Sequence, residues 1–356
     1  MLERQNLSIA SHEEVVVCRD EEAGLRAIIA IHDTALGPAV GGTRMLPYSS
    51  EEEALADVLR LSHAMTYKAA AAELDFGGGK AVIIWDGEKP KPQALLLAFG
   101  RALESLQGRF LTGEDVGTTA QDMLVASRET RYVIYPHPEI DPEWETSLLT
   151  AHGVLRGIQA CVREMYGEDS LAGRRILVQG LGKVGQRLAR TLQKEGARLA
   201  ISDIDPEKVR VLAPELQAEV VDPRQVFDAE VDVFCPCALG GILDDGTIAR
   251  LRCRIVAGAA NNQLADETHG EKLHARGILY APDYVINAGG LISALYEMGL
   301  SGREDVIART DRIHGRILEI CKRGRTEGIP ASTAARLLAE ERIERARERR
   351  RQAQSV

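Results

Sequence analysis

Apolar and polar residues follow different patterns in the two parts of the chain. Up to about residue 145, β-branched and apolar runs such as EVVVCRD and LRAIIAIHD lie between turn residues and predict strands. The segment YSSEEEALADVLRLSHAM predicts one long helix, which opens with a capping box of Ser50 and Glu53 and delivers Lys68 at its end. The apolar residues on one face of this helix are Leu55, Val58, Leu59 and Met65. The first part therefore combines strands with a helix.

After about residue 150, predicted strands alternate with helices, and the strands become short continuous apolar runs. These runs are RRILVQG, ARLAISD, VDVFCPCA, CRIVAGAANN and GILYAPD. Such runs are typical of parallel strands that are buried on both faces. The second part is therefore predicted to be a doubly wound α/β domain of the Rossmann type. The final segment AEERIERARERRR predicts a mixed-charge helix with a solvated or subunit-facing surface.

The composition excludes several classes of function. The chain has 356 residues, 45% of them hydrophobic, which is enough for two domains. Its 44 basic and 53 acidic residues give a net charge of −9, so we expect small-molecule ligands and no general affinity for nucleic acid or membrane. No run reaches the roughly 20 apolar residues of a membrane helix. The start MLERQNLSIASHEE has no signal-peptide pattern, so we expect a cytoplasmic protein.

The six cysteines are scattered without the spacing of a zinc site, so no metal is predicted. Only Cys235 and Cys237 are close in sequence, in FCPCALGG. A gap of one residue suits neither zinc ligands nor the usual redox pair, so the pattern favours a structural reading, as small buried apolar groups.

A glycine-rich motif indicates a nucleotide site. The strand ILVQ is followed by Gly180-Leu181-Gly182-Lys183-Val184-Gly185, which opens a helix, and the next strand ends at Asp203. The first glycine permits a tight turn, the second lets a pyrophosphate approach the backbone, and the third lets helix and strand pack closely. An acidic residue at Asp203 binds the ribose hydroxyls, and neither Ile204 nor Asp205 adds a positive charge, so NAD is expected rather than NADP. A structural glycine turn is the alternative.

Two lysines suggest the chemistry. Lys68 taken alone is explained by the favourable position of a cation at a helix C-terminus. Lys80 is different, because it lies between three glycines and the apolar run AVIIW. Apolar walls and a nearby second cation lower the pKa of a lysine, which then exchanges protons near neutral pH. Asp115, in LTGEDVGTT, is a third polar candidate.

Seven ordered blocks between about residues 37 and 345 resemble the leucine/phenylalanine/valine branch of the Glu/Leu/Phe/Val dehydrogenase superfamily. The blocks are GPAVGGTRM, MTYKAAAAELDFGGGKAVII, GEDVGTTAQDM, GLGKVG, CPCALGG, AGAANNQL and APDYVINAGG. The resemblance implies a substrate domain with a mixed sheet at residues 1–145, joined by the C-terminal helix 331–356. It also implies an NAD domain at residues 146–330, a cleft between the two domains, and a homo-oligomer.

The implied reaction is reversible oxidative deamination of an L-amino acid by NAD to a 2-oxo acid and ammonium. By resemblance, Lys68 binds the α-carboxylate, Lys80 polarises the carbonyl and activates water, and Asp115 shuttles protons to and from the amine. Each role suits the chemistry, since a carboxylate requires a fixed cation and a carbinolamine requires an acid and a base. The resemblance also places Gly41 and Gly42 at a substrate turn and Asn262 and Asn287 at the cleft. The implied cofactor contacts are Ser147, Thr150, Ala238, Leu239 and Asn261.

The implied side-chain pocket consists of Val40, Gly113, Leu291 and Ala294. In the glutamate enzymes a lysine occupies the position of Val40, and an unpaired carboxylate against an alkyl wall is unfavourable, so an apolar substrate is expected. Gly113 leaves space for an aromatic side chain, whereas Leu291 refills it. One methylene changes selectivity by only about 1–3 kcal/mol, so leucine, valine and phenylalanine all remain candidates.

One departure concerns the helix that enters the second domain. Members of this branch carry a PSPxTA-type segment there, whereas this chain reads TSLLTA from Thr146 to Ala151 and lacks both prolines. The stiffness of this hinge is therefore in question. The sequence leaves two alternative functions open: a non-catalytic NAD sensor or scaffold of the same fold, and an NAD-dependent reductase of another imine or keto substrate.

Overall fold

The chain divides into two units. In a computed structural model that describes residues 1–85, 87, 91–135 and 144–354, the first unit comprises Met1–Glu143 with Ala339–Val356, and the second comprises Trp144–Leu338. The C-terminal segment therefore returns to the first unit after the second is complete. Within the described residues, no helix has the length and apolar character needed to cross a membrane.

The first unit is built on a six-stranded mixed sheet with the order β1-β2-β3-β5-β4-β6. Its strands are β1 (Glu3–Leu7), β2 (Glu14–Asp20), β3 (Leu25–Asp33), β4 (Ala39–Leu46), β5 (Gly77–Ile84) and β6 (Phe110–Glu114). Strands β1, β2, β3 and β5 pair in antiparallel fashion, whereas β4 is parallel to both β5 and β6. The mixed sheet is therefore confirmed.

Among the described residues up to 135, the helices beside this sheet are α1 (Glu51–Ala71), α2 (Gln93–Glu104) and α3 (Ala120–Ala126). Of these helices, the sequence pattern predicts only α1, since it indicates a single long helix before residue 145. Ser50 caps α1 by accepting a hydrogen bond from the Glu53 amide, as predicted. The predicted box does not close, however, because the Glu53 carboxylate accepts from the amide and hydroxyl of Ser49 instead.

The three glycines before Lys80 lie inside β5 and let its backbone approach other parts of the protein. A Cβ on Gly78 would lie 2.1 Å from the Thr66 amide nitrogen of α1, and one on Gly79 would lie 2.6 Å from the Phe110 ring. These glycines therefore bring α1 and β6 close to β5, and Lys80 is held in a strand that is buried along its whole length.

The second unit contains a six-stranded parallel sheet with the order β12-β11-β10-β7-β8-β9. Its strands are β7 (Arg175–Gln179), β8 (Arg198–Ser202), β9 (Glu219–Val220), β10 (Val233–Pro236), β11 (Ile255–Val256) and β12 (Leu279–Tyr280). This order reverses on either side of β7, as in doubly wound folds, and the predicted Rossmann-type domain is confirmed. β11 and β12 are shorter than the apolar runs that predicted them.

The helices of the described residues from 144 onward precede, connect or follow these strands, and a 3₁₀ turn lies at Val226–Asp228. The helices are α4 (Thr146–Tyr166), α5 (Lys183–Lys194), α6 (Pro206–Leu216), α7 (Asp245–Arg250), α8 (His269–Ala275), α9 (Asp283–Ile286), α10 (Gly289–Glu297), α11 (Arg303–Glu327) and α12 (Ala331–Gln354). The last part of α12 packs on the first unit, where Ala339 and Ile343 are buried near Ala70. Arg342 anchors it by donating to the Leu74 carbonyl at 2.7 Å.

The entry to α4, where two prolines are missing, is held by side-chain hydrogen bonds. The Glu297 carboxylate in α10 accepts from the Thr146 hydroxyl at 2.7 Å and the Trp144 indole at 3.3 Å. Ser293 bonds to both the Trp144 indole and the same carboxylate. α10 therefore fixes the first residues of the second unit.

Candidate active site and nucleotide turn

Lys80 and Asp115 form an ion pair inside the first unit. Lys80 lies in β5 and is 6% exposed, and its ammonium contacts the carboxylate of Asp115, which directly follows β6. An ammonium this deeply buried requires a partner, because desolvation of an unpaired charge is costly. The two residues proposed for catalysis are therefore brought together.

Gly42 provides the space for this contact. β4 lies between β5 and β6, and Gly42 in β4 is in register with Gly113 in β6. A Cβ on Gly42 would lie 2.8 Å from the Cβ of Asp115 and 3.3 Å from the ammonium nitrogen of Lys80. Gly41 and Gly42 were expected in a turn, but both lie within β4, because β4 must pass closely between its two neighbours.

Arg44 is a second cation at the Asp115 carboxylate, and it is not among the site residues predicted from the sequence. Its Nε donates to Asp115 at 3.0 Å, and its Nη1 donates to Asp57 at 3.2 Å. Asp57 also accepts from the Tyr48 hydroxyl at 2.8 Å and from Arg60 at 2.7 Å. The available signal was the GGTRM block, in which Arg44 stands two residues after Gly42 and faces the same side of the strand.

This arrangement of charges shifts the pKa values of the pair. Burial lowers the pKa of Lys80, Asp115 opposes that shift, and the like charge of Arg44 adds to it. Burial acts to raise the pKa of Asp115, but the charges and hydrogen bonds of Lys80 and Arg44 outweigh it and lower that pKa to about 2. Two cations therefore keep Asp115 ionised, while Lys80 gives up its proton more easily than an exposed lysine.

The other predicted substrate residues of the first unit lie on the neighbouring elements. Lys68 is half-buried in the last turn of α1, and Val40 is buried in β4. A Cβ on Gly41 would lie 1.9 Å from the Gly79 carbonyl oxygen, so this glycine is required for strand packing. Gly113 is half-buried, and a Cβ there would lie 3.1 Å from the Ile134 carbonyl oxygen.

In the second unit, Gly180-Leu181-Gly182 forms the turn between β7 and α5. Gly180 has a φ of +96°, and a Cβ there would lie 2.7 Å from the Cβ of Ala238. A Cβ on Gly185 would lie 2.0 Å from the Gly180 carbonyl oxygen, which explains the close approach of helix to turn. Gly182 is different, because its φ is −73° and no described atom lies within 4 Å of a Cβ placed there. Nothing in the described protein requires glycine at this position.

Asp203 is tied to this turn. Its carboxylate accepts from the Leu181 amide at 2.6 Å and from the Asp205 amide at 2.8 Å. Asp205 caps α6 ahead of Pro206 by accepting a hydrogen bond from the Glu207 amide. The two residues after Asp203 carry no positive charge, but Lys208, in the first turn of α6, places its Nζ 3.8 Å from Asp203 and 4.0 Å from Asp205.

The remaining predicted cofactor residues lie at or near the carboxyl edge of the parallel sheet or in α4. Gly182, Lys183, Ala238, Leu239 and Asn261 are exposed, and Val184 is half-buried at the start of α5. In α4, Ser147 donates to Glu145 at 3.1 Å and Thr150 donates to the Thr146 carbonyl at 3.1 Å. These residues therefore keep local partners.

The substrate residues predicted in the second unit are not all accessible there. Asn287 is buried and donates to the Asn261 side chain at 2.8 Å, and the Asn262 amide donates to Asp283 at 2.5 Å. Asn262 also has a φ of +50°, a conformation that asparagine tolerates. Leu291 and Ala294 are buried in α10.

Comparisons with known proteins show which family the chain resembles. The family model described as Glu/Leu/Phe/Val dehydrogenase, dimerisation domain, matches residues 12–132. The model described as Glutamate/Leucine/Phenylalanine/Valine dehydrogenase matches residues 205–351. The leucine dehydrogenase of Thermoactinomyces intermedius is 49% identical over 95% of this chain and 93% of its own length. The phenylalanine dehydrogenase of Bacillus thermotolerans is 47% identical over 96% of this chain and 91% of its own.

Solved structures give the same result for the fold. The L-tryptophan dehydrogenase from Nostoc punctiforme superposes with a TM-score of 0.84 at 45% identity, covering 95% of this chain and 97% of that chain. A hetero-hexameric glutamate dehydrogenase from Thermus thermophilus, in a leucine-bound form, superposes with a TM-score of 0.76 at 25% identity, covering 97% and 88%.

Proposed function

The chain belongs to the Glu/Leu/Phe/Val dehydrogenase family and is an amino-acid dehydrogenase, and we propose that it catalyses the reversible NAD-dependent oxidative deamination of an apolar L-amino acid. The products are the 2-oxo acid, ammonium and NADH. We assign amino-acid binding to the first unit and NAD binding to the second. Because the chain is an amino-acid dehydrogenase, the alternative of a non-catalytic sensor or scaffold is set aside.

The buried Lys80–Asp115 pair carries this proposal. Oxidation of the amine gives an iminium ion, which water must attack to form a carbinolamine before ammonia leaves. Neutral Lys80 takes the proton from that water, and its ammonium form then donates a hydrogen bond to the developing oxygen. Asp115 accepts a proton from the substrate ammonium and returns one to the departing nitrogen. These roles require a lysine that releases its proton more easily than usual, beside a carboxylate that is ionised before the reaction and can therefore accept a proton.

Lys68 is proposed to bind the substrate carboxylate. A cation at the C-terminal end of α1 is favoured by the helix dipole, and a half-buried ammonium holds a carboxylate in place. Fixing the carboxylate orients the α-carbon relative to Lys80 and Asp115. Orientation of this kind contributes to the rate because the reacting atoms no longer need to be brought together.

The glycine turn is suited to a dinucleotide, and Gly182 is the observation that supports this assignment. Neither the φ of Gly182 nor its packing against described residues requires a glycine. A pyrophosphate bound to the amides at the start of α5, however, requires the space that a side chain at Gly182 would fill. NAD, when bound, accepts the hydride from the substrate carbon. The acidic pair Asp203 and Asp205 disfavours the 2′-phosphate of NADP, although Lys208 reduces that repulsion.

The substrate side chain is proposed to be apolar, of the leucine, valine or phenylalanine type. Val40 is buried and supplies an alkyl wall, and Gly113, two residues beyond the register partner of Val40, adds no side chain there. Relatives named leucine dehydrogenase and phenylalanine dehydrogenase have nearly equal identity to this chain. A homo-oligomer is also proposed, because residues 12–132 match a dimerisation-domain model.

An amino-acid panel tests this function. Purified protein is mixed with NAD and, separately, leucine, valine, phenylalanine or glutamate, and NADH absorbance is followed. We expect NADH formation with at least one apolar amino acid, little with glutamate, and a lower rate when NADP replaces NAD. A preference for glutamate, or no reaction with any of the amino acids, would contradict the proposal.

A further inference from the structure

Two thiols lie in contact directly behind the nucleotide turn. Cys235 is the third residue of β10 and is fully buried, and Cys237 follows the end of that strand and is half-buried. Their sulfur atoms are 3.6 Å apart. The other four cysteines, Cys18, Cys161, Cys253 and Cys321, are buried. The mechanism above uses none of these thiols.

Cys237 is the more reactive of the two. A hydrogen bond between the two sulfurs, in which either can donate, and a hydrogen bond from the Ala259 amide lower the pKa of Cys237, although burial opposes the shift. Burial raises the pKa of Cys235 well above its usual value. Cys237 also lies against the first turn of α5, since a Cβ on Gly185 would be 3.4 Å from the Cβ of Cys237. Helix N-termini favour thiolates.

We propose that a hydroperoxide oxidises Cys237, that Cys235 then forms a disulfide with it, and that this disulfide weakens dinucleotide binding. A partly accessible cysteine beside a second thiol is the arrangement found at redox-sensing cysteines. The sequence spacing favoured a purely structural reading of this pair, whereas the sulfur–sulfur contact supplies the resolving partner.

Formation of the disulfide needs no reagent other than the hydroperoxide. The Cys237 thiolate attacks one oxygen of the peroxide, so that an S–O bond forms, the O–O bond breaks, and the leaving oxygen takes up a proton. The Cys235 sulfur then attacks the sulfenic sulfur, an S–S bond forms, and hydroxide leaves with the Cys235 proton as water. Two thiols lose two electrons and the peroxide gains them. A small thiol reductant reverses the step by thiol–disulfide exchange.

The effect on the nucleotide turn follows from the neighbouring contacts. The sulfurs must approach by about 1.5 Å to reach bonding distance. The Cys237 amide donates to the Gln179 carbonyl at 2.7 Å, and a Cβ on Gly180 would lie 2.8 Å from the Ala238 amide nitrogen. Movement of residues 235–238 therefore displaces either Gly180 or its hydrogen-bonded strand. The expected weakening of dinucleotide binding rests on the proposed NAD site.

The test combines a mass measurement with a binding measurement on the full chain. Protein is treated with hydrogen peroxide, alkylated under denaturing conditions and digested with trypsin. The peptide of residues 225–250 contains Cys235 and Cys237 and no other cysteine. We expect this peptide to lose two hydrogens and both alkylation sites. NADH binding, measured by fluorescence, should become roughly tenfold weaker. Dithiothreitol should reverse both changes.

Two variants complete the design. Cys235→Ser is expected to form no disulfide, so that Cys237 passes to sulfinic acid and dithiothreitol no longer restores it. Cys253→Ser, which changes a buried cysteine of the same unit, is expected to behave like the parent chain.

Two free thiols in peptide 225–250 after NADH binding has been lost would overturn the proposal, and so would a disulfide that leaves NADH binding unchanged. The mass readout is made on the parent chain, so it holds even if a variant fails to fold. A parent chain that binds NADH but oxidises no amino acid would contradict the proposed function and leave this test valid.

Discussion

The ammonium of Lys80 contacts the carboxylate of Asp115 across an intervening strand, through the space that Gly42 leaves open. The pair is therefore assembled from three strands, β5, β4 and β6. Charge pairs this deeply placed are sensitive to small displacements, because both desolvation and hydrogen-bond geometry contribute to their energy. The central strand is thus part of the chemistry although it supplies no reactive group there.

Gly42→Ala is expected to lower kcat/KM for the amino acid by roughly tenfold to a hundredfold, because the added methyl group displaces Asp115 and Lys80. Steady-state kinetics over amino-acid concentration measures this. The matched control is Gly315→Ala, an exposed helical glycine with open space around it, which should change kcat/KM by less than about twofold. Equal rates for Gly42→Ala and the parent would show that the strand does not set the geometry of the pair.

Arg44 is expected to control the pH dependence of deamination. Neutral Lys80 is the active form, so kcat/KM rises with pH through the pKa of Lys80, and that pKa is lowered by burial and by Arg44. Arg44→Gln removes a like charge, so the midpoint of this rise should move to higher pH. Arg44→Lys keeps the charge and should leave the midpoint near that of the parent.

Arg60→Gln is the control for this series, because Arg60 contacts Asp57 at 2.7 Å and is more exposed than Arg44. The rise of kcat/KM with pH in Arg60→Gln should have the same midpoint as in the parent. A midpoint that moves downward in Arg44→Gln would contradict the assignment of the rise to Lys80.

Gly182→Ala is expected to raise the KM for NAD by roughly tenfold or more while the fold is unchanged. The methyl group meets no described protein atom, so its effect must come from the dinucleotide that approaches there. Gly302→Ala is a close control, because Gly302 is also a helix N-cap, with a φ of −75° against −73° and open space around it. Thermal unfolding should show both variants close to the parent. An unchanged KM for NAD would remove the turn from the nucleotide site.

Local patterns predicted a large part of the fold. The apolar runs of the second unit gave the parallel strands, because residues buried on both faces leave a continuous signature. The glycine turn and Asp203 were recognised for a similar reason, since strand, turn and helix are adjacent in sequence. α2 and α3 are absent from the predicted elements, because α2 is apolar at most of its positions and α3 has only seven residues, so neither gives a long apolar–polar repeat.

The charge network around Asp115 could not be predicted from the sequence. Arg44, Asp57 and Asp115 are separated by up to 71 residues, and their contacts depend on strand order, which no local pattern encodes. Gly42 illustrates the same limit, because the family resemblance implied a turn at Gly41 and Gly42 whereas both lie inside β4. The approach of Lys208 to Asp203 likewise depends on the bend between β8 and α6.

Turnover by Lys80→Ala tests the central claim most directly. Loss of a group that both activates water and polarises the carbonyl is expected to lower kcat by about 10²- to 10⁴-fold. The comparison is Lys68→Ala, which removes the proposed carboxylate anchor and should mainly raise the KM for the amino acid. Both variants should bind NADH like the parent, because neither lysine belongs to the second unit.

The deciding measurement is kcat of Lys80→Ala for the best amino acid of the panel, in protein shown by NADH fluorescence to be folded and to bind the cofactor. A fall of at least about a hundredfold is the result predicted here. A kcat within about threefold of the parent would remove Lys80, and with it the buried ion pair, from the reaction.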